Sequence, residues 1–399
     1  MIYIINKVKR AKGLIFTLLV LLPVSCIEPP LHLPGQEVLT EMPAVETELS
    51  VVWNVNADWS VDWHYGWDEV DQEIWGTIGY EKPTSYQVRR YWKGESNGTH
   101  HDDVDAFSIN STSFRRYFSF GYYDILFWSD IMSKDGTQVL VIEESPNAVQ
   151  ATTTGSRGMS RGGVTKLVGS EEESDATSMV GLYNQPEIFY AAYPENIYIS
   201  RDLKDYIYDP VENIYIKKIE TELRPLVYIY LVQIVLLNND GRVQGINGNT
   251  AMSSMASGVD LYTGRTNNNP SIIYFNTRLK RNLTYHGQPC DIIGGKFTTF
   301  GLCDMAPYTR TGTRYEGSRS ALNNYLFFDI LFSNNGVKTY SVDVTEQLQT
   351  QAHGGVVTVV IDCGQLQPPV PPDEPTEGTG SLFVPSVEDY EDVYWEIEL

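Results

Sequence analysis

The residues of this chain best suited to chemistry lie in one short stretch. Trp59, Trp63, Trp67 and Trp75 are interleaved with Asp58, Asp62, Asp68, Asp71 and Glu73. Flat apolar ring faces suit pyranose rings, and neighbouring carboxylates can accept hydrogen bonds from sugar hydroxyls. Two carboxyls held about 5–9 Å apart would also be the equipment of a glycosidase. Spacing along a chain cannot set that separation, so three readings stand: tryptophans buried against a sheet, a glycan-binding platform, or a hydrolase site. Burial needs no partner and is the expectation here, with the four tryptophans as candidate ligand-binding residues. No enzyme is expected.

Other chemical signals are sparse. His100-His101-Asp102-Asp103 follows Asn97-Gly98 and reads as a solvated turn, so no metal is assigned. No Gly-x-Ser-x-Gly elbow, phosphate loop or dinucleotide fingerprint occurs, and no cofactor is expected. Cys290 and Cys303 bracket a stretch that would span roughly 35 Å as one straight strand. A disulfide requires Cα atoms about 4.4–6.8 Å apart, so this pair needs a turn, and Gly294-Gly295 is the candidate for it. A Cys303–Cys363 bridge and three unpaired thiols are equally open. No Cys-x-x-Cys pair favours a metal site.

The elements that would position these residues read as strands. The chain is rich in Tyr and poor in charge, and short apolar or alternating segments are punctuated by turn residues. The first strand is read at residues 48–56, followed by a tryptophan-rich excursion over 57–80. Residues 86–92, 105–109, 115–120 and 122–128 read as further strands. Lys134-Asp135-Gly136, Asn239-Asp240-Gly241 and Asn334-Asn335-Gly336 are hairpin signals, because such residues tolerate positive φ. Residues 226–237 are apolar except for Gln233 and suit a strand buried on both faces. Two short helices are expected, at 249–257 and at 344–351 with Thr345 as N-cap. This is an all-β pattern, and the break between two sandwiches is placed near residues 267–270.

The ends of the chain carry different signals. Lys7, Lys9, Arg10 and Lys12 precede an apolar run over 13–24, then Ser25 and Cys26. That is the layout of a secretory leader, too short for a membrane span. A small residue before cysteine resembles a bacterial lipobox, although Pro23 stands where Leu is usual. Cys26 is therefore the expected lipid-bearing residue, and acyl chains would hold the protein to a membrane. The net charge of −22 excludes nucleic acid as a partner of the general field. At the far end, Val393, Trp395 and Ile397 alternate with Tyr394, Glu396 and Glu398, the pattern of a strand with one apolar face. The expected organisation is a leader (1–25), a tether (26–47) and a first sandwich (48–266) with a flexible loop at 151–178. A second sandwich (267–366), a Pro-rich linker (367–380) and an acidic strand-pairing tail (381–399) complete it.

Four stretches together resemble the fimbrillin-like lipoproteins of anaerobic Gram-negative bacteria, in particular fimbrial anchor subunits and a related uncharacterised branch. They are Phe120-Gly-Tyr-Tyr-Asp-Ile-Leu-Phe-Trp-Ser129, residues 225–258, Tyr340-Ser-Val-Asp-Val-Thr-Glu-Gln-Leu348 and residues 384–399. The resemblance implies two tandem transthyretin-like β-sandwiches, an outer-membrane, cell-surface location, fimbrial or other surface proteins as partners, and no catalysis. Polymerising members are trimmed after a basic residue ahead of the first strand. Here no Lys or Arg occurs between Ile27 and Glu81, which favours an anchor or accessory subunit. The alternative function is glycan binding through the tryptophans at 59–75.

Overall fold

The computed structural model describes residues 41–51, 63–98, 103–131, 138–145, 148–155, 181–248, 250–305 and 322–369. Cys26, Trp59, His100–Asp102, Lys134-Asp135-Gly136, most of the 151–178 loop and the tail at 381–399 lie outside the described residues. The chain is all-β, its sheets arranged as sandwiches.

The first body is one nine-stranded sheet folded over itself. Its strands are β1 (Ala44–Val51), β2 (Tyr86–Trp92), β3 (Asp103–Ile109), β4 (Ser113–Tyr117), β5 (Gly121–Ser129), β9 (Tyr190–Ala192), β10 (Ile197–Ile199), β11 (Ile207–Asp209) and β12 (Ile214–Pro225). The path β3-β2-β5-β9-β12-β1-β4 puts β3 and β4 at opposite ends. Yet only residues 110–112 join them, a reach of about 15 Å at most. The sheet must therefore curl until its ends meet, and sheets packed face to face lie about 10 Å apart. Val45, Leu49, Val88, Ile125, Phe127 and Leu223 fill the space between the two halves. The first strand starts at Ala44, four residues earlier than expected, because Val45 and Leu49 bury on the alternation that the core face demands.

The second body packs two sheets. One is β18 (Thr277–Tyr285), β19 (Gln288–Thr299), β13 (Tyr228–Leu237) and β22 (Gly355–Asp362), in that order. The other runs β14 (Val243–Ile246), β20 (Tyr325–Phe332), β15 (Thr250–Ala256), β17 (Pro270–Phe275) and β8 (Gly181–Tyr183), with β21 (Val337–Asp343) on β20. Tyr230, Val232, Ile234 and Leu236 of β13 meet Met252, Ile273, Phe328 and Val357 in the core. A three-stranded sheet of β6 (Leu140–Ser145), β7 (Ala148–Thr153) and β16 (Gly258–Asp260) joins the bodies. Its residues Leu140, Val149 and Val259 share a core with Trp128, Leu226, Val227 and Phe300.

Several expectations are corrected. The chain passes from the nine-stranded sheet to the four-stranded one near Leu226, between β12 and β13, and β15 and β17, on either side of residues 267–269, pair within one sheet. Within the segment read as a helix at 249–257, residues 250–256 are strand β15. Sheet partners on both sides override its helix-tolerant composition, and a bulge at Ser254 (φ 59°) is stabilised by Asn324, which donates to the carbonyls of Ser253 and Ser254. Asn239-Asp240-Gly241 is a crossover between sheets and not a hairpin; Asn239 brackets Val243 through both its amide atoms and anchors to Asp291. Asn334-Asn335-Gly336 does turn a hairpin, β20 into β21. The helix near the end, α2 (Thr345–Thr350), has Val344 and not Thr345 at its N-cap, so it forms without a side-chain cap, and Thr345 Oγ1 accepts from Asn324 N–H.

Candidate functional site

The described part of the tryptophan excursion lies across the outer face of the four-stranded sheet. It contains one helix, α1 (Glu69–Trp75), which the sequence reading did not foresee. Its signal was present: Asp68 accepts from the N–H of Asp71, and Asp71 accepts from the N–H of Asp68, a capping box built on two aspartates.

Trp63 and Trp67 pack on Ile229, Leu231 and Val356, and Trp63 also reaches Tyr65, Val235 and Ile292. These contacts cover the second face of β13 and account for its near-continuous apolar run. Gln233, the exception in that run, faces the excursion. Its carbonyl accepts from His64 N–H at 2.9 Å and its amide donates to Thr358 Oγ1 at 2.9 Å. The three described tryptophans form no coplanar row. Trp67 and Trp75 meet at 39° between ring planes, and Trp63 tilts 55° against Tyr65. Two of their indole N–H groups are spent on the excursion's own backbone, Trp63 and Trp67 donating to the carbonyls of Gly66 and Gly76, and that of Trp75 is buried without an acceptor.

A charged clamp fixes the excursion to β18. Asp71 is fully buried, and Arg278 and Lys280 approach it at 2.9 and 2.5 Å. The same two cations reach Asp68 at 2.9 and 3.0 Å. Tyr65 donates to Asp71 at 2.8 Å, and the Lys280 ammonium sits 4.1 Å above the Tyr65 ring. The backbone N–H of Asp71, with Lys280 and Arg278, holds the Asp68 carboxyl well below the usual range. Burial and then the Asp71 carboxylate push the Tyr65 phenol up. Gly294 makes this possible. A Cβ there would stand 2.4 Å from the Tyr65 ring, so only a glycine lets the ring lie on the strand. Gly294-Gly295 is thus a seat in a continuous strand and not a turn, and Cys290 and Cys303 do not bond. All three described cysteines are buried and free. Burial raises the Cys303 and Cys363 thiols to about 12 and about 11.

Of the candidate carboxylates, Asp68 and Asp71 are therefore committed to ion pairs, Glu73 faces solvent, and Asp58 and Asp62 lie outside the described residues. Beside the C-terminal end of α1 is a cleft of about 580 Å³, lined by Gln72, Trp75, Lys82, Tyr190, Asn276 and Lys296 among others. The Lys296 ammonium bonds the carbonyls of Thr77 and Trp75 at the negative end of that helix. Several polar groups of the wall are already engaged. Glu187 accepts from Val139 and Leu140 N–H, and the Gln185 side chain bonds Tyr274 O and Thr298 N–H. Among the described residues no three His, Cys, Asp or Glu side chains converge as a metal ion would need.

No known family profile matches the chain, and no curated protein does. Solved structures are similar at low identity. A candidate adhesin from Bacteroides ovatus is 14% identical over 83% of this chain and 95% of its own, with a TM-score of 0.46. The fimbrial anchor protein Mfa2 from Porphyromonas gingivalis is 10% identical over 79% of this chain and 90% of its own, at 0.35. The tip fimbrial protein Mfa3 from the same organism, C-terminally truncated, is 7% identical over 76% and 82%, at 0.32.

Proposed function

We propose that this chain is a lipid-anchored, non-catalytic surface protein, an anchor or accessory subunit in fimbria assembly or adhesion. The observation that carries the reading is the place of β1. It lies inside the sheet, parallel to β12 on one side and antiparallel to β4 on the other, with Val45, Thr47 and Leu49 buried. Losing that strand would open the core of the first sandwich along its length. With no Lys or Arg between Ile27 and Glu81, proteolysis at a basic residue has no site from which to release it. A subunit that keeps its first strand suits an anchor better than a stalk. The leader and Cys26 support attachment at the outer membrane.

The test is co-purification of surface partners from outer membranes in mild detergent, alongside detergent phase partition of a Cys26→Ala variant. Partition of the variant with the membrane phase as in the parent rejects the anchor. Recovery of the parent with no fimbrial subunit rejects the role. A second reading, saccharide binding, moves from a tryptophan platform to the cleft beside Trp75, since Trp63 and Trp67 are spent on packing. Trp75→Ala would then abolish retention on immobilised glycans, and equal retention of parent and variant removes that reading.

A further inference from the structure

Edge strands expose a row of unpaired backbone groups and need protection. Among the described residues, the longer edge strands are β3, β4, β6, β18, β21 and β22. Five of them carry charges inside the strand: Asp105 in β3, Arg115 and Arg116 in β4, Glu143 and Glu144 in β6, Arg278, Lys280 and Arg281 in β18, and Lys338 in β21. β22 is different. Its one charge is Asp362 at the last position, and from Gly355 to Ile361 it reads Gly-Val-Val-Thr-Val-Val-Ile, with no charge and no proline. Uncharged, β-branched segments of this length are the ones that pair with their own copies.

What covers β22 is a pair of glutamines. Gln347 in α2 accepts from Thr358 N–H at 2.8 Å and donates to Thr358 O at 3.0 Å. Gln351, at the end of the helix, accepts from Val356 N–H at 2.8 Å and donates to Val356 O at 3.0 Å. Each side-chain amide thus reproduces the two-bond contact that a neighbouring strand's peptide would make. The spacing fits. Four residues of helix rise about 6 Å and two residues of strand about 6.7 Å, so amides one turn apart meet alternate peptides of the edge. Gly355 is needed for the fit, because a Cβ there would fall 1.9 Å from Gln351 Oε1. The next residue in the outward register, Val360, is 47% exposed.

We infer that α2 is a plug on a self-complementary sheet edge: Gln347 and Gln351 occupy the hydrogen-bonding positions on β22 that the same strand of a second copy of this chain would otherwise take. The argument for a second copy is electrostatic. The protein's strong negative charge repels copies over the rest of the surface, whereas two β22 edges paired antiparallel about Thr358 meet along uncharged residues, with the two Asp362 carboxylates at opposite ends. Displacing the plug exchanges amide–backbone bonds for backbone–backbone bonds of the same kind, so the edge is latent and not abolished. This inference does not depend on the fimbrial reading.

The experiment uses the full mature chain with Gln347→Ala and Gln351→Ala together, a change that keeps helix propensity. Two quantities are read: hydrogen exchange at the amides of Val356 and Thr358, and sedimentation velocity over a concentration series. The expected result is at least tenfold faster exchange at both amides in dilute protein. Concentration-dependent dimers or larger species should exceed those of the parent and disappear when Val360→Lys is added. Unchanged exchange, no added association, or association that survives Val360→Lys overturns the inference. If the double variant loses its near-ultraviolet circular dichroism, Gly355→Ala takes its place. It pushes Gln351 off the edge without altering the helix sequence, and exchange at Val356 with the same sedimentation criteria then decides.

Discussion

The two edges of the four-stranded sheet are kept from other chains by opposite means. β18 presents Arg278, Lys280 and Arg281, and the first two also grip Asp68 and Asp71 of the excursion. β22 presents no charge from Gly355 to Ile361 and is closed by side-chain amides. A charged edge is protected even when bare and selects an acidic cover. An amide-plugged edge is protected only while the plug stays. The difference teaches that edge protection and site building can be one device, as at β18, or separate, as at β22.

The largest expected effect is at the charged edge. Asp71→Ala leaves Arg278 and Lys280 facing a buried gap, and breaking such a cluster costs about 3 kcal/mol or more. Urea unfolding of parent and variant measures it; a loss under about 1 kcal/mol would mean that solvent screens the cluster and the edges are less different than described. Gly294→Ala comes next. Its methyl group collides with the Tyr65 ring, so a loss of about 1–3 kcal/mol is expected, and Tyr65→Ala in the same background should recover part of it.

A pH series sharpens the comparison further. Asp68 is depressed in the folded state, so its contribution is complete above the ordinary carboxylate value of 3.8 and is lost as pH falls below it. Tyr65 is raised, so the neutral phenol is the stabilised form. Its contribution holds below the ordinary value of 10.0 and is lost as pH rises past the folded value. The excursion should therefore loosen at both extremes, read as faster amide exchange at His64, while the plug on β22, which contains no titrating group, responds at neither. Equal loosening of both edges in acid contradicts the assignment. The smallest effect is a null one: Cys303 and Cys363, raised by burial, should resist iodoacetamide at pH 8 until denaturant is added, and rapid labelling of the folded protein contradicts their burial.

Read by itself, the amino-acid sequence determined the all-β class, the doubly covered strand at Tyr228–Leu237, the Asn334-Asn335-Gly336 hairpin and the helix after Asp343. These follow from short-range periodicity, turn chemistry and propensity, which neighbouring residues express without help. Only the tertiary structure decided where the bodies divide, that 250–256 is strand, and that Gly294-Gly295 seats a ring and does not turn the chain. It also decided the fate of the candidate site. Asp68 and Asp71 stand more than 200 residues from Arg278 and Lys280, so no local pattern could show that the apparent catalytic carboxylates are ion-pair partners. Gln347 and Gln351 looked like ordinary helix residues for the same reason. A side chain's role as ligand, clamp or plug depends on which distant backbone or charge lies within about 3 Å, and that distance is set by packing, not by sequence spacing.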